Sequence, residues 1–166
     1  MIVNKIKSGF TLVEAMIYLA IVSIVLVSIS YLILDILGGQ VKSYAGQEVN
    51  QNMRYLANFL IKDSKAAQDI GSVTNDTLVL IMSGDDITYN FDGLNKVLTR
   101  QAGAGIPVVI NSNLVEVQGS FTDLSYQGRS KNVSIYLDIN YKNPEGLTDY
   151  NVNSNTDISI ELRGRR

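Results

Sequence analysis

The chain has 166 residues, 46% of them hydrophobic, and its 14 Lys and Arg against 16 Asp and Glu give a formal net charge of −2. It has neither cysteine nor histidine, which excludes disulfide bonds, thiolate metal sites, a cysteine nucleophile and the commonest general base. The charge balance shows no basic footprint for nucleic acid, whose binding therefore stays unknown. Because no recognisable nucleophile motif or phosphate loop is present, we expect no enzyme, no catalytic residue and no cofactor.

The N-terminus combines a short basic leader with a long apolar run. Lys5 and Lys7 precede an uncharged stretch over residues 15–34, which is rich in Ile, Val and Leu, and Asp35 follows it. Twenty helical residues span about 30 Å, the thickness of the hydrocarbon core of a bilayer. The positive-inside bias places the N-terminus in the cytoplasm and the chain after Asp35 outside. The sequence therefore predicts a single-pass helix in the cytoplasmic membrane.

Three interpretations of this segment compete: a cleaved secretory signal, a plain anchor for an external binding module, and a segment that is cut and then assembled. The apolar run is too long for a secretory signal, and no small-residue cleavage site follows it. A plain anchor leaves Glu14 unexplained, because a carboxylate in an apolar membrane helix is costly. A cut between Gly9 and Phe10 would create an α-amino group four residues before Glu14. Within one chain this places the carboxylate at the positive helix N-terminus, where an acidic side chain is stabilised; between chains it could pair with the Phe10 amine of a neighbour.

Residues 7–14, which read Lys-Ser-Gly-Phe-Thr-Leu-Val-Glu, together with the apolar helix, resemble the class III leader of type IV pilins and type II secretion pseudopilins. The resemblance is strong over residues 5–35. It implies cleavage after Gly9 by prepilin peptidase, N-methylation of Phe10, and transfer of the helix from membrane lipid, at an inner-membrane assembly platform, into a filament of pilin or pseudopilin subunits. Glu14 matches the family's acidic residue at the fifth mature position, which helps to register an incoming subunit.

An amphipathic pattern follows the apolar run. Spacings of three and four predict a helix with one buried stripe, whose apolar members are Val49, Met53, Leu56, Leu60 and Ala67. Gly71 is its predicted end. The glycines at 38, 39 and 46 predict a bend or fray over residues 38–46, because each glycine costs about 1 kcal/mol in a helix interior. The proline that usually kinks this helix in the family has no counterpart here.

From Thr77 onward the apolar residues alternate with polar ones, as in half-buried antiparallel strands. The predicted strands cover 77–82, a hairpin over 86–101 that turns at Asp92-Gly93, 114–124 with a possible bend at Gly119, 133–141, and 158–162. A long helix with an antiparallel sheet packed on it is an α+β fold. The predicted domains are a leader (1–9), a transmembrane or filament-core helix (10–37), its amphipathic continuation (38–71) and a β-rich head (72–166).

Three polar segments of the head are candidate sites. The loop 143–157 carries Glu145, Asp149 and Asp157, but their spacing matches no calcium-loop pattern, so we expect a solvated loop and no metal. Asp85-Asp86 is expected to be a turn. The basic tail 163–166, Arg-Gly-Arg-Arg, is expected to be a solvated end.

The head also bears on the type of subunit. Residues 51–63 and the hairpin with Tyr89, Leu98 and Arg100 resemble the corresponding parts of J-type pseudopilins and W-type minor pilins. Glu14 argues against the filament-tip pseudopilins that lack this acidic residue. The resemblance therefore favours a structural, minor subunit of a pilus or pseudopilus, and the alternative is a membrane-anchored extracytoplasmic binding module that does not polymerise.

Overall fold

A computed structural model describes residues 11–126 and 131–162. The chain divides into two compact units, Met1–Gln40 and Val41–Arg166. A single long helix, α1 (Leu12–Ala66), precedes the strands β1 (Asp69–Val73), β2 (Thr77–Ile81), β3 (Ile87–Asp92), β4 (Val97–Ala102), β5 (Val108–Val109), β6 (Val115–Asp123), β7 (Lys131–Tyr141) and β8 (Asn153–Leu162), with a short 3-10 helix at Thr148–Tyr150. This order of elements confirms the predicted α+β fold.

The helix α1 is continuous through the glycines at which the sequence predicts a bend or fray. Residues 38–46 are helical throughout, so the helix does not fray there. Each glycine weakens the helix by about 1 kcal/mol, but propagation along an existing helix adds one hydrogen bond for each residue fixed. From Ala45 onward the helix also buries a stripe of side chains, which holds the backbone beyond the last of the three glycines.

The end of α1 differs from the prediction: the helix stops at Ala66, and Gly71 lies in β1. The pairing of β1 with β2 shifts register between Ile70 and Ser72, which makes Gly71 the extra residue of a bulge. A Cβ atom at this glycine would stand 3.1 Å from Val79 Cγ1. The glycine therefore serves close packing in a strand, and not the termination of a helix.

The strands form two antiparallel sheets in the orders β1-β2-β3-β4-β5 and β6-β7-β8. The predicted hairpin is confirmed as β3 and β4. Its turn is fixed by Asp92, whose Oδ1 accepts hydrogen bonds from the backbone N–H groups of Leu94 and Asn95, each at 2.9 Å. Lys96, in the left-handed region with φ 52°, completes the turn. The short edge strand β5 was not predicted.

Strand β6 joins the two sheets. Its Val117 N–H donates to Lys96 O at 2.8 Å and its Phe121 N–H donates to Asn75 O at 2.9 Å, so β6 is bonded to two turns of the larger sheet. Its pairing with β7 passes through Gly119 without a register shift. A Cβ atom there would lie 2.5 Å from Phe91 Cζ, so only glycine leaves room for this ring.

Strand β8 begins at Asn153, earlier than the predicted start at residue 158. The predicted loop 143–157 is therefore too long, and its last five residues pair with β7. The missed signal is a strand with polar residues on both faces. Asn153 supports the pairing from its side chain, because its Nδ2 donates to Asn140 Oδ1 at 2.9 Å.

The core of the head lies between one stripe of α1 and the inner faces of the sheets. Side chains with no exposed surface include Val49, Leu56, Leu60, Leu78, Leu80, Tyr89, Leu98, Val115, Val133, Ile135, Leu137 and Ile139. The amphipathic spacing of residues 49–60 and the alternation in 133–139 predicted the members of this core that lie on α1 and β7. Because this stripe is buried by the head itself, it needs no other partner.

Candidate functional site

The described chain begins at a helix cap. Thr11 Oγ1 accepts a hydrogen bond from the Glu14 N–H at 3.2 Å, and Thr11 O accepts one from the Ala15 N–H at 3.1 Å. Threonine followed three residues later by glutamate is the capping-box pattern that opens a helix. This role of Thr11 was not predicted, although the pattern before an apolar run would have revealed it.

Glu14 lies in the first turn of α1 and is exposed. An acidic side chain is stabilised there by the positive end of the helix dipole. It takes part in none of the ion pairs found among the described residues. Gly9 and Phe10, the predicted cleavage and methylation residues, lie outside the described residues, so the predicted pairing of Glu14 with the Phe10 amine stays a prediction. The basic tail 163–166 also lies outside them.

The first part of α1 is apolar around its whole circumference. The helix contains a stretch long and apolar enough to cross a membrane, and none of that stretch is buried within the described residues. The exposed large side chains up to Leu37 include Ile17, Leu19, Ile24, Leu26, Leu32, Ile33 and Leu34. A helix that is hydrophobic all round is stable only where its entire surface is covered by lipid or protein.

The serines in this apolar stretch do not interrupt it. Their hydroxyl groups donate to the carbonyl oxygen four residues earlier: Ser23 to Leu19 at 2.7 Å, Ser28 to Ile24 at 2.9 Å and Ser30 to Leu26 at 2.8 Å. A buried hydroxyl is costly only when it lacks a partner. Each of these serine hydroxyls therefore already has a hydrogen-bond acceptor within the helix when the stretch lies in an apolar environment.

In the second unit, α1 is tied to the sheet by a buried polar cluster. Asp63 Oδ2 accepts hydrogen bonds from the Tyr89 hydroxyl at 2.6 Å and from Arg100 Nε at 2.8 Å. Asp63 lies three residues after Leu60 on the buried stripe of α1. This cluster was not predicted, but a carboxylate at a core position of an amphipathic pattern is the signal that would have found it, because such a charge requires partners.

Electrostatics keep Tyr89 and Arg100 each in one protonation state. Burial raises the pKa of the Tyr89 phenol well above its ordinary value of 10.0, and the hydrogen bond to Asp63 raises it further. For Arg100, burial acts to lower the pKa, but the hydrogen bond and charge of Asp63 outweigh it, so the pKa of the guanidinium is raised. Tyr89 therefore stays a neutral donor and Arg100 a cation over the physiological range.

A second tie joins α1 to the loop before β6. Asn52 Oδ1 accepts a hydrogen bond from the Ser112 N–H at 2.9 Å, and Asn52 Nδ2 donates to Glu48 Oε1 at 2.9 Å. Both ties place polar groups at nearly buried positions of the helix stripe, where a one-turn slip would leave them unpaired. They fix the register of the helix on the sheets.

The structure does not bring together the three carboxylates of the loop 143–157 that the sequence analysis expects to be solvated. Asp157 lies on β8 opposite Tyr136, whereas Glu145 and Asp149 lie before and within the short 3-10 helix. No group of three acidic side chains that could hold a metal ion is found in the parts of the chain that the structure describes. Asp86 accepts a hydrogen bond from the Met82 N–H at 3.2 Å, which stabilises the turn predicted at this point.

One family model matches the chain: the prokaryotic N-terminal methylation motif covers residues 4–30. No curated protein and no solved structure matches the chain. The matched range contains Gly9, Phe10 and Glu14 and the first part of α1. A leader of this class implies processing by prepilin peptidase and assembly with other pilin subunits. At its N-terminus the chain thus carries a prepilin-type methylation motif, which is consistent with a precursor of the type IV pilin and pseudopilin family.

Proposed function

We propose that this protein is a structural subunit, and a minor one, of a type IV pilus or pseudopilus filament. The observation that carries the proposal is the methylation motif at residues 4–30 joined to an apolar stretch of α1 in which no residue is buried. A mature chain would begin at Phe10 after cleavage at Gly9. The role is architectural, and we propose no enzymatic activity.

Before assembly, the subunit is anchored in the cytoplasmic membrane by α1. Lys5 and Lys7 stay on the cytoplasmic side and the head stands outside, in the periplasm or at the cell surface. Lipid covers the apolar part of α1 in this state. Transfer of the helix into a filament core exchanges one apolar environment for another, so it involves little hydrophobic cost.

N-terminal sequencing and mass spectrometry of the mature protein test this proposal. We expect a chain that begins at N-methylated Phe10, and we expect Gly9→Ala to block cleavage and filament entry. An intact Met1, or a cut after the apolar run, would contradict the proposal. If Gly9→Ala leaves size, localisation and function unchanged, the protein is instead a membrane-anchored binding module. Quantitative mass spectrometry of purified filaments distinguishes a minor from a major subunit.

The role of Glu14 is tested separately. Glu14→Ala should insert into the membrane and be cleaved normally, since loss of a charge eases insertion. It should enter filaments poorly, because the Phe10 amine would be buried without a counter-charge at a cost of several kcal/mol. Glu14→Gln keeps the shape and removes the charge. If Glu14→Gln assembles as well as the parent chain, charge pairing is not the mechanism, even if the filament role holds.

A further inference from the structure

Three tyrosines and a leucine lie together in the second unit, close to its first residues. The Tyr141 and Tyr150 rings stack, with centroids 5.8 Å apart and planes 15° from parallel, and Leu147 lines the same hollow as both rings. Burial raises the pKa of the Tyr141 phenol, and the Tyr44 and Tyr150 phenols raise it further, so Tyr44 of α1 lies near the stack. We name Tyr44, Tyr141, Leu147 and Tyr150 the Tyr44 cluster.

The cluster presents apolar surface together with hydroxyl groups. Tyr44 is 55% exposed and Leu147 is 47% exposed, while Tyr141 and Tyr150 are half-buried. A tyrosine combines an apolar ring with a hydroxyl that needs a hydrogen-bond partner, so it is favoured where an apolar environment meets a wet one. For this reason tyrosine is enriched at the level of the lipid headgroups in membrane proteins. The composition of the cluster therefore suits the boundary between a bilayer and water.

The distance along α1 indicates which surface the cluster meets. Tyr44 follows Leu37, the last residue of the predicted transmembrane segment, by seven helical residues, which is about 10 Å of helix. The headgroup layer adds roughly 5–7 Å to each side of the hydrocarbon core. Because side chains on a helix lean toward its N-terminus, the ring of Tyr44 leans back toward that layer. The headgroup layer is thus within reach of the cluster without any further partner.

The charges beside the cluster do not select an anionic surface. The charged residues that flank its members in the sequence comprise two basic and three acidic side chains: Lys42, Glu48, Lys142, Glu145 and Asp149. Attraction to anionic lipid depends on a group of basic residues. A contact made by this surface therefore depends on its aromatic and apolar side chains, and not on the charge of the lipid.

We propose that the Tyr44 cluster docks the head onto the lipid headgroup layer of the membrane that α1 crosses, before the subunit is assembled. The proposal rests on the proposed anchorage of α1 in that membrane. The loop that carries Leu147 is already fixed, because the Asn143 side chain accepts a hydrogen bond from the Leu147 N–H at 2.9 Å and donates one to Leu147 O at 2.8 Å. The surface is therefore formed in the absence of lipid.

Tryptophan fluorescence of the full-length protein, reconstituted in nanodiscs at one copy per disc, tests the proposal. The chain contains no tryptophan, so one introduced indole reports on one position. Leu147→Trp is compared with Leu124→Trp, since these leucines are 47% and 49% exposed. Leu124 follows the end of β6 that pairs with Val133, about 26 Å along the sheet from Tyr141. We expect a nitroxide on the lipid headgroup to quench Leu147→Trp about threefold more strongly than Leu124→Trp.

Removal of one ring distinguishes docking from simple tethering. In the Leu147→Trp protein, Tyr44→Ser should lower the quenching about twofold. Tyr55→Ser, at a tyrosine of α1 that is 49% exposed and lies eleven residues further along, should leave the quenching unchanged. Discs of phosphatidylcholine alone and discs that also contain phosphatidylglycerol should give the same result. Circular dichroism of each variant verifies that the head is folded.

Equal quenching of Leu147→Trp and Leu124→Trp, quenching that survives Tyr44→Ser, or a requirement for anionic lipid would overturn the proposal. Leu26→Trp separates these outcomes from a failure of the anchorage. Leu26 lies at the middle of residues 15–37, so a nitroxide deep in the acyl chains should quench its replacement. If Leu26→Trp is quenched there but Leu147→Trp is not quenched at the headgroups, the anchorage stands and the docking proposal fails. If Leu26→Trp is not quenched, the anchorage itself fails.

Discussion

The two units of the chain contain the same kinds of apolar side chain but differ in whether these side chains are exposed or buried. Up to Gln40, leucine, isoleucine and valine occur on every side of α1 and remain exposed. In the part of α1 from Val41 onward these residues are confined to one stripe of the helix, and the strands bury that stripe. Hydrophobicity alone therefore does not distinguish the units; its angular distribution does. The first unit requires an external apolar environment, whereas the second supplies its own.

The largest effect is expected where the head packs most closely. Gly119→Ala would place a Cβ atom 2.2 Å from the Tyr136 carbonyl oxygen and 2.5 Å from Phe91 Cζ. A backbone contact cannot yield as a flexible side chain can, so we expect a loss of about 4 kcal/mol in the free energy of unfolding. Urea unfolding of the full chain in detergent micelles, followed by circular dichroism, measures it. Gly93→Ala, where nothing lies within 4 Å, is the matched control and should be nearly neutral.

A paired truncation tests the contrast between the units directly. Leu56 has no exposed surface, whereas Leu26 is 59% exposed. Leu56→Ala should lower the free energy of unfolding of the head by about 3 kcal/mol through lost burial and a cavity. Leu26→Ala should leave it unchanged within about 0.5 kcal/mol. If Leu26→Ala destabilises the head as much as Leu56→Ala, the two units do not have separate cores.

Loss of the buried polar cluster that joins α1 to the sheet should have a smaller effect on the free energy of unfolding. Asp63→Ala leaves the Tyr89 hydroxyl and the Arg100 guanidinium without their shared acceptor. We expect a loss of about 2 kcal/mol, below the usual cost of breaking a buried pair because Arg100 keeps partial access to water. The same urea titration measures it. Lys65→Ala, two residues along the same helix, should be close to neutral because alanine is the best helix former, and a similar loss there would show that the shared acceptor is not the cause.

The smallest effect concerns a turn on the surface of the head. The pKa of the Asp92 carboxyl is lowered from 3.8, first by its hydrogen bond from the Asn95 backbone and then by the Asn95 side chain. A lowered pKa in the folded state stabilises the fold above the unfolded value, and this contribution is lost as the pH falls through the folded pKa. The urea midpoint should therefore decrease below about pH 4. Asp92→Asn, which keeps the acceptor oxygen, should show a shallower decrease than Asp85→Asn.

The sequence predicted what depends on periodicity and missed what depends on tertiary packing. The stripe from Val49 to Leu60 and the alternation of β7 were readable because helix and strand patterns differ in period. Gly71 was misread because a glycine marks a helix end and a strand bulge equally well. The predicted start of β8 was five residues too late because residues 153–157 contain no apolar side chain and so show no inward-facing pattern.

The same difference applies to the candidate functional residues: those marked by a local sequence pattern were predicted, and those brought together by packing were missed. The leader was recognised because its signal, residues 7–14 followed directly by an apolar run, is contiguous in the sequence. Asp63 and Arg100 are 37 residues apart in sequence, and only the packing of α1 on β4 brings them within 2.8 Å. The edge strand β5 has only two residues, which are too few for any pattern to predict.

The Tyr89 phenol offers a consequence for the kinetics of the head. The chain contains nine tyrosines and no tryptophan, so phenols dominate its near-ultraviolet spectrum. Because burial and Asp63 raise the pKa of Tyr89, its neutral form stabilises the folded head, and that contribution is lost as the pH rises above the ordinary value of 10.0. After a rapid jump to alkaline pH, exposed phenols ionise at once, whereas Tyr89 must wait until the head opens. The rate of the slow phase of phenolate absorbance then reports the rate at which the head unfolds, without any added label.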